Sequence, residues 1–220
     1  MRQTYLIGAL VMTGLLSSMP TPVLADTQFN YDGFYSRLKK SEKVEYSDIT
    51  LAFMLQQQAS NLPCDITGAR ITTDITDEAL TVASNGELVL PYSELLNNRK
   101  ALIKLQQPAN AKACDLNFRL RSKLPLDATI EWPQLVKMHQ QFDGLLKDLA
   151  GLGKYFLPAM TGVTLKFERE VVLESAPAEL AARIQCEKLQ CQVALLDAGE
   201  LTGKVVFNQA PHTVLPLLPR

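Results

Sequence analysis

Near its C-terminus the chain reads Cys186-Glu187-Lys188-Leu189-Gln190-Cys191, and whether these two thiols close on each other decides what the backbone around them can be. On a continuous α-helix, positions i and i+5 lie about 500° apart around the axis and at least about 8 Å apart at Cα. A disulfide needs Cα atoms within about 7 Å, so an oxidised pair excludes a helix running through it. The preceding APAELAARIQ (176–185) has fair helix propensity, and two arrangements stay open. In one, Ile184 and Cys186 lie on a strand, Glu187 to Gln190 form a four-residue loop, and Cys191, Val193 and Leu195 return on a second strand. In the other, a helix ends near Cys186 and a turn leads to Cys191. The hairpin is preferred, because cysteines facing each other in a non-hydrogen-bonded pair are close enough to bridge.

Oxidation depends on the compartment, and the N-terminus speaks to that. The stretch MRQTYLIGALVMTGLLSSMPTPVLA has one basic residue, Arg2, then an apolar run from Tyr5 to Leu16, then Val23-Leu24-Ala25. This is the pattern of a secretory signal peptide over residues 1–25, cleaved before Asp26. A retained anchor needs about 20 uninterrupted apolar residues, and Ser17, Ser18, Pro20 and Pro22 interrupt the run. Residue 26 is not a cysteine, so no N-terminal lipid anchor is expected. No later segment is long enough to span a bilayer, so no integral membrane anchor is expected either.

Removal of 1–25 takes away Arg2 alone among the charged residues, leaving 21 basic against 23 acidic side chains. That balance gives no electrostatic reason to expect nucleic acid or an anionic membrane as partner. With 47% hydrophobic residues the chain is not of disordered composition. Residues 26–220 suffice for one α+β domain, with a sub-boundary near Pro158 as the alternative. All four cysteines, Cys64, Cys114, Cys186 and Cys191, remain after cleavage, and an even number in an exported chain favours disulfides. Cys64 with Cys114 is the second expected bridge, the two other connectivities remaining formally open.

Working outward, FNYDGFYSRLKK (29–40) reads as a short helix capped by Asp32, with Phe34, Tyr35 and Leu38 on its apolar side. Ile49, Leu51, Phe53 and Leu55 mark a well-buried strand, and residues 66–73 a second. Asn85-Gly86 between two apolar runs predicts a hairpin with a type I′ turn. Ser93 to Asn98 reads as one helical turn, followed by strands over 101–107 and 114–124. In the latter, Leu116, Phe118 and Leu120 share one face and Asn117, Arg119 and Arg121 the other. From Trp132-Pro133, the residues Leu135, Met138, Phe142, Leu145, Leu149 and Leu152 recur at spacings of three and four. They predict one long amphipathic helix packed on a sheet, with a short coiled coil as the rival reading. Strands follow over 162–168, 171–175 and 204–207, and the tail is too rich in proline for a central strand or a helix. Strands, a helix, then strands again give an α+β fold with antiparallel sheets.

The chemistry implied is sparse. Cys-x4-Cys is not the C-x-x-C of thiol redox sites, and structural zinc needs four ligands. The histidines, His139 on the helix and His212 in the tail, have no ligand-spaced partner, so no metal and no cofactor is expected. No G-x-S-x-G elbow, Ser-x-x-Lys pair or glycine-rich phosphate loop is present. Two carboxylate groups, Asp74/Asp77/Glu78 and Glu168/Glu170/Glu174, read as solvated faces, the second on one strand face if that strand is continuous. No catalytic residue is assigned. If 101–107 pairs with 114–124 as a hairpin, Arg99, Lys100, Lys104, Arg119, Arg121 and Lys123 form a basic strip, suited to phosphate or carboxylate groups of envelope polymers or to keeping an outer face soluble.

The segments FYSRLKK, YSDITLAFML, LPCDITGARITT, GELVLPY, CDLNFRLR and FLPAMTGVTLKF together resemble a family of small exported proteins of Gram-negative bacteria, a domain of unknown function, over Phe29 to Phe167. The resemblance implies a periplasmic protein in which the Cys64 and Cys114 positions belong to the pattern, and it implies no active site. Sequence and resemblance together lead us to expect a non-catalytic binding or structural module of the cell envelope, partnered by an envelope protein or polymer. The alternative is a hydrolase of envelope polymers that uses an Asp/Glu pair brought together in space.

Overall fold

The computed structural model describes residues 24–219. The expected leader, residues 1–25, therefore lies outside the described residues except for Leu24 and Ala25. The first strands are β1 (Leu24–Asn30), β2 (Ile49–Gln57), β3 (Gly68–Thr72), β4 (Asp77–Ala79), β5 (Thr81–Val82), β6 (Glu87–Val89), β7 (Leu102–Pro108) and β8 (Cys114–Ser122). There follow β9 (Thr129–Glu131), β10 (Gly162–Lys166), β11 (Leu173–Ser175), β12 (Ile184–Glu187), β13 (Gln190–Ala194), β14 (Lys204–Phe207) and β15 (Thr213–Leu217). The helices are α1 (Tyr31–Ser41), α2 (Glu94–Asn98), α3 (Trp132–Ala150) and α4 (Ala178–Ala181). The strands form four sheets, ordered β1-β7-β3-β4, β5-β6-β2-β8, β11-β14-β9 and β12-β13-β10-β15. Every ladder among them is antiparallel. This is an α+β fold of antiparallel sheets and few helices, braced by two disulfides.

The central strand β2 explains its own sequence. Leu51, Phe53 and Leu55 are buried on one face, where the Phe34 ring of α1 meets Phe53 with centroids 5.0 Å apart. Ala52 and Met54 are buried on the other face as well, so the run ITLAFML lacks the polar alternation of a half-exposed strand. Across the ladder Leu51 pairs with Leu120, Ala52 with Arg119 and Phe53 with Phe118.

In α1, Phe34, Tyr35 and Leu38 are buried as the periodicity requires. Asp32 does not cap it: Asn30 holds that position without a side-chain bond, and Asp32 Oδ1 accepts from the Gly33 amide at 2.8 Å. In α3, Trp132, Leu135, Met138, Gln141, Phe142 and Leu145 are buried. Gln141 is tolerated there because its amide clasps Asp48, accepting from the backbone N–H at 3.0 Å and donating to Oδ2 at 3.1 Å. The stripe stops at Leu145, since Leu149 is half-buried and Leu152, past the helix end, is 87% exposed. Gly151 ends the helix with φ +56. Leu135, Met138, Phe142 and Leu145, four of the six residues a coiled-coil seam would have used, are thus spent on the chain's own core.

Three turns depart from expectation. The β5–β6 connection bends at Ser84-Asn85, with the Gly86 amide donating to Ala83 O at 2.8 Å and Gly86 at φ +86. That is a type I turn followed by a glycine in the left-handed region, in place of a type I′ turn centred on Asn85-Gly86. A Cβ on Gly86 would also lie 2.7 Å from Leu55 O. The β12–β13 hairpin closes through two residues, Lys188 and Leu189, with Glu187 paired to Gln190, so the loop is shorter than the four residues expected. Lys188 takes φ +54, which relieves the need for a longer loop. Residues 168–170 are irregular, so Glu168, Glu170 and Glu174 do not share one strand face. The proline-rich tail forms β15, an edge strand against β10 with Pro216 opposite Val163, a position where the missing N–H costs no ladder bond.

At the α3 C-terminal end, Asp148 accepts from Lys43 Nζ at 2.6 Å and from the Tyr46 hydroxyl at 3.0 Å. The Lys43 bond holds the Asp148 carboxyl below the usual carboxylate range, while burial and then Asp148 push the Tyr46 phenol up.

Cys64 bridges Cys114 with Cα atoms 5.8 Å apart, and Cys186 bridges Cys191 with Cα atoms 4.0 Å apart. The first closes a separation of 50 residues and the second one of 5. On the chain-entropy account these are worth about 4 and about 2 kcal/mol. In urea unfolding, Cys64→Ser/Cys114→Ser should lower stability more than Cys186→Ser/Cys191→Ser, by about 2 kcal/mol; equal or reversed losses would refute the ranking.

Candidate functional site

The six cations expected in one strip do not form one. The strip required β7 and β8 to pair, but β7 lies between β1 and β3, and β8 pairs with β2 in another sheet. Arg99 is bound to Asp74 at 3.2 Å, and Lys123 to Glu42 at 3.4 Å. Lys100 follows Arg99 at a left-handed turn residue, φ +52, and Lys104 sits in the middle of β7 opposite Gln28 and Arg70. Only Arg119 and Arg121 stay together, two apart on β8 and therefore on one face.

That face borders a cleft of about 380 Å³, whose lining includes Gln56 of β2, Asn85, Glu87 of β6, Arg119, Arg121, Lys166 of β10, His212 and Thr213. It forms where the outer face of the β5-β6-β2-β8 sheet meets the β10 and β15 edge of the C-terminal sheet. The His212 amide donates to Lys166 O at 2.9 Å, fixing the start of β15 beside β10. The Val214 amide of β15 donates to Ser122 Oγ of β8 at 3.1 Å, inside the core.

The charges in the cleft are unequal in availability. Glu87, with 14% of its side chain exposed, takes both Nε and Nη2 of Arg121, at 3.2 and 2.7 Å. Arg121 Nη1 donates to Ser122 O at 2.8 Å. Arg121 is thereby neutralised, and each of its three nitrogens already donates one hydrogen bond. Arg119 has no ion-pair partner among the described residues, and Lys166 donates to a neutral acceptor, Gln190 Oε1. His212 adds an exposed imidazole. Thr213 keeps its hydroxyl buried without a hydrogen-bond partner, a position that costs stability unless something satisfies it. The cleft therefore carries uncompensated positive charge from Arg119 and Lys166 beside several neutral donors. Such a lining suits a phosphoryl or carboxylate group.

Neither sequence-flagged carboxylate group forms a paired-acid site. Asp74 and Asp77 are ion-paired with Arg99 and Arg70, and Glu78 is exposed on β4. Glu168 and Glu170 are exposed in the irregular segment, and Glu174 is exposed on β11. Among the described residues no group of three or more His, Cys, Asp or Glu is arranged to hold a metal ion. Lys166 and Thr213 are not singled out by the sequence, and His212 reads there only as a histidine of the tail, which is exposed as that reading has it. Their only local signal was a basic residue and a histidine flanking apolar strands, and their convergence depends on the β10–β15 ladder.

The family described as Protein of unknown function (DUF2987) matches residues 24–167, and the chain belongs to it. Curated proteins and solved structures give no match to the chain. The family region includes Glu87, Arg119, Arg121 and Lys166, while His212 and Thr213 are contributed from beyond it.

The Arg121–Glu87 pair differs from the exposed ion pairs in what its loss leaves behind. Arg121→Gln should cost about 1–3 kcal/mol in chemical denaturation, because a half-buried carboxylate loses its partner. Arg70→Gln, which removes an exposed pair with Asp77, should cost less than about 1 kcal/mol. Equal costs would mean that Glu87 is solvated after all.

Proposed function

We propose that this chain is a non-catalytic binding module of the bacterial cell envelope, exported to the periplasm of a Gram-negative cell. In this reading it holds an anionic group of an envelope protein or polymer in the cleft between β8 and β15. The observation that carries the reading is the pair of uncompensated cations, Arg119 and Lys166, at a cleft whose one carboxylate is already bound by Arg121. Electrostatic attraction there is available to a ligand instead of being consumed internally. His212 and Asn85 add donors at the rim.

The hydrolase alternative needs two carboxylates about 5 to 10 Å apart, and this cleft has Glu87 alone, engaged through both oxygens. Placement in the periplasm is supported by the leader-like stretch 1–25 and by two disulfides, which persist in oxidising compartments. Among the described residues no helix is long and apolar enough to cross a membrane.

Titration calorimetry with inorganic phosphate at low salt should show one weak site, on the order of 1 mM. Its affinity should fall about tenfold in Arg119→Gln and in Lys166→Gln, and should decrease as salt is raised. Affinity insensitive to both substitutions would remove the cleft from the proposal. Export is read separately: mass spectrometry of the protein recovered from a periplasmic fraction should give a chain beginning at Asp26 with all four thiols oxidised. A full-length chain in the cytoplasm would refute the location.

A further inference from the structure

Beside the anion cleft, across the same pair of strands, lies a second and chemically opposite feature. The side chains of β8 alternate, so Phe118 and Leu120 point away from Arg119 and Arg121. On that side is a groove of about 420 Å³ lined by Phe118, Leu146 and Leu149 of α3, Leu157, Pro216 and Leu218. Its volume is within the range of small-molecule sites. Phe118 is 56% exposed and Leu218 40% exposed. The lip continues into the Gly151–Phe156 turn, where Leu152, Tyr155 and Phe156 are largely exposed.

Two arginines are among the residues that line this groove: Arg37, on the Phe118 side, and Arg119, which stands at its border with the cleft and lines both. Arg37 stands 5.3 Å from the centroid of Phe118 and donates through Nη1 to Gly33 O at 2.7 Å. Neither arginine has a carboxylate in ion-pair range among the described residues. An open apolar groove bordered by two cations without counter-ions is complementary to a molecule with one hydrocarbon chain and one negative head. A second copy of the chain is a poorer fit, because a two-fold contact through this face would bring the same arginines together in an apolar interface. A flat bilayer would cover the projecting 151–156 turn but would leave the concavity unfilled.

We infer that this groove is a binding site for a single-chain anionic amphiphile of the fatty-acid type, with its chain along Leu146, Leu149 and Leu157 and its head group at Arg37 and Arg119. The inference goes beyond the anion cleft, which takes a group without a chain. The two sites would meet at Arg119.

The test is titration calorimetry of the full protein with decanoate, decanol and acetate, each below its aggregation concentration. Decanoate should bind one-to-one, decanol about tenfold more weakly, and acetate at least a hundredfold more weakly. Leu157→Lys and, independently, Phe118→Ser should each reduce decanoate affinity at least tenfold; both positions are at least partly exposed, so two separate folding failures are not expected, and circular dichroism checks for them. Arg37→Gln should weaken decanoate several-fold and leave decanol unchanged. Decanol binding as tightly as decanoate, decanoate binding unaffected by both groove substitutions, or no decanoate binding would each overturn the inference. So would a change in sedimentation on Leu157→Lys without amphiphile binding, which would make the groove a contact between copies.

Discussion

The polar cleft and the apolar groove of this protein both flank one buried hydrogen bond between two strand edges. β8 ends its sheet and β15 ends another. Each would otherwise present unpaired backbone groups to water, and to other chains. They lie side by side, yet among the described residues no backbone bond joins them; the link is Ser122 Oγ, accepting from the Val214 amide at 3.1 Å where both residues are buried. A hydroxyl suits this place because it can turn to meet a single donor without requiring the register of a ladder. Losing it would strand the Val214 amide in a dry site.

Everything of chemical interest flanks that junction, and the alternation of β8 sorts it. Arg119 and Arg121 stand on the side of Lys166 and His212, while Phe118 and Leu120 stand on the side of α1 and α3. The same two-residue period that buries Leu51, Phe53 and Leu55 thus separates a polar cleft from an apolar groove. Within the cleft the decisive contrast is between two arginines of one face. Arg121 is fixed and neutralised by Glu87, so it serves as wall; Arg119, one period away, has its charge free. The sequence alone does not distinguish them, because the difference lies in Glu87 arriving on β6 opposite Met54.

The parts of the fold that were legible are those whose signal is local. The strand at Ile49, the alternation from Leu116 to Arg121, the helix opening at Trp132-Pro133 and the closure of Cys186 on Cys191 each follow from neighbours a few residues away. What was misread involved partners far apart in the chain. β7 and β8 are consecutive strands and looked like a hairpin, but β7 finds β1 and β3, and no pattern within 101–124 encodes that choice. The prolines of the tail bar it from a central position, yet its place as an edge strand depends on β10, about 50 residues earlier. His212 and Thr213 line the cleft only through that pairing. The helical stripe ends for a different reason: Leu149 is still on α3 and packs against the core, whereas Leu152 keeps the spacing but lies beyond Gly151, which ends the helix.

The disulfides fit this arrangement of edges. Each of the two sheets that meet at the junction carries one: Cys64–Cys114 ties the loop after β2 to the first residue of β8, and Cys186–Cys191 locks β12 to β13. The other two sheets carry none. Since one hydroxyl contact and side-chain packing hold the edges together, neither sheet gains rigidity from a shared ladder, and each has to keep its own shape. Cys114 fixes the first residue of β8, the strand that carries Phe118 and Arg119 at its middle, and Cys191 fixes the strand beside β10, which carries Lys166. A brace at each of these points holds the cleft's opposite walls without crossing the gap between them. The covalent constraint therefore falls on the sheets to either side of the junction and not across it.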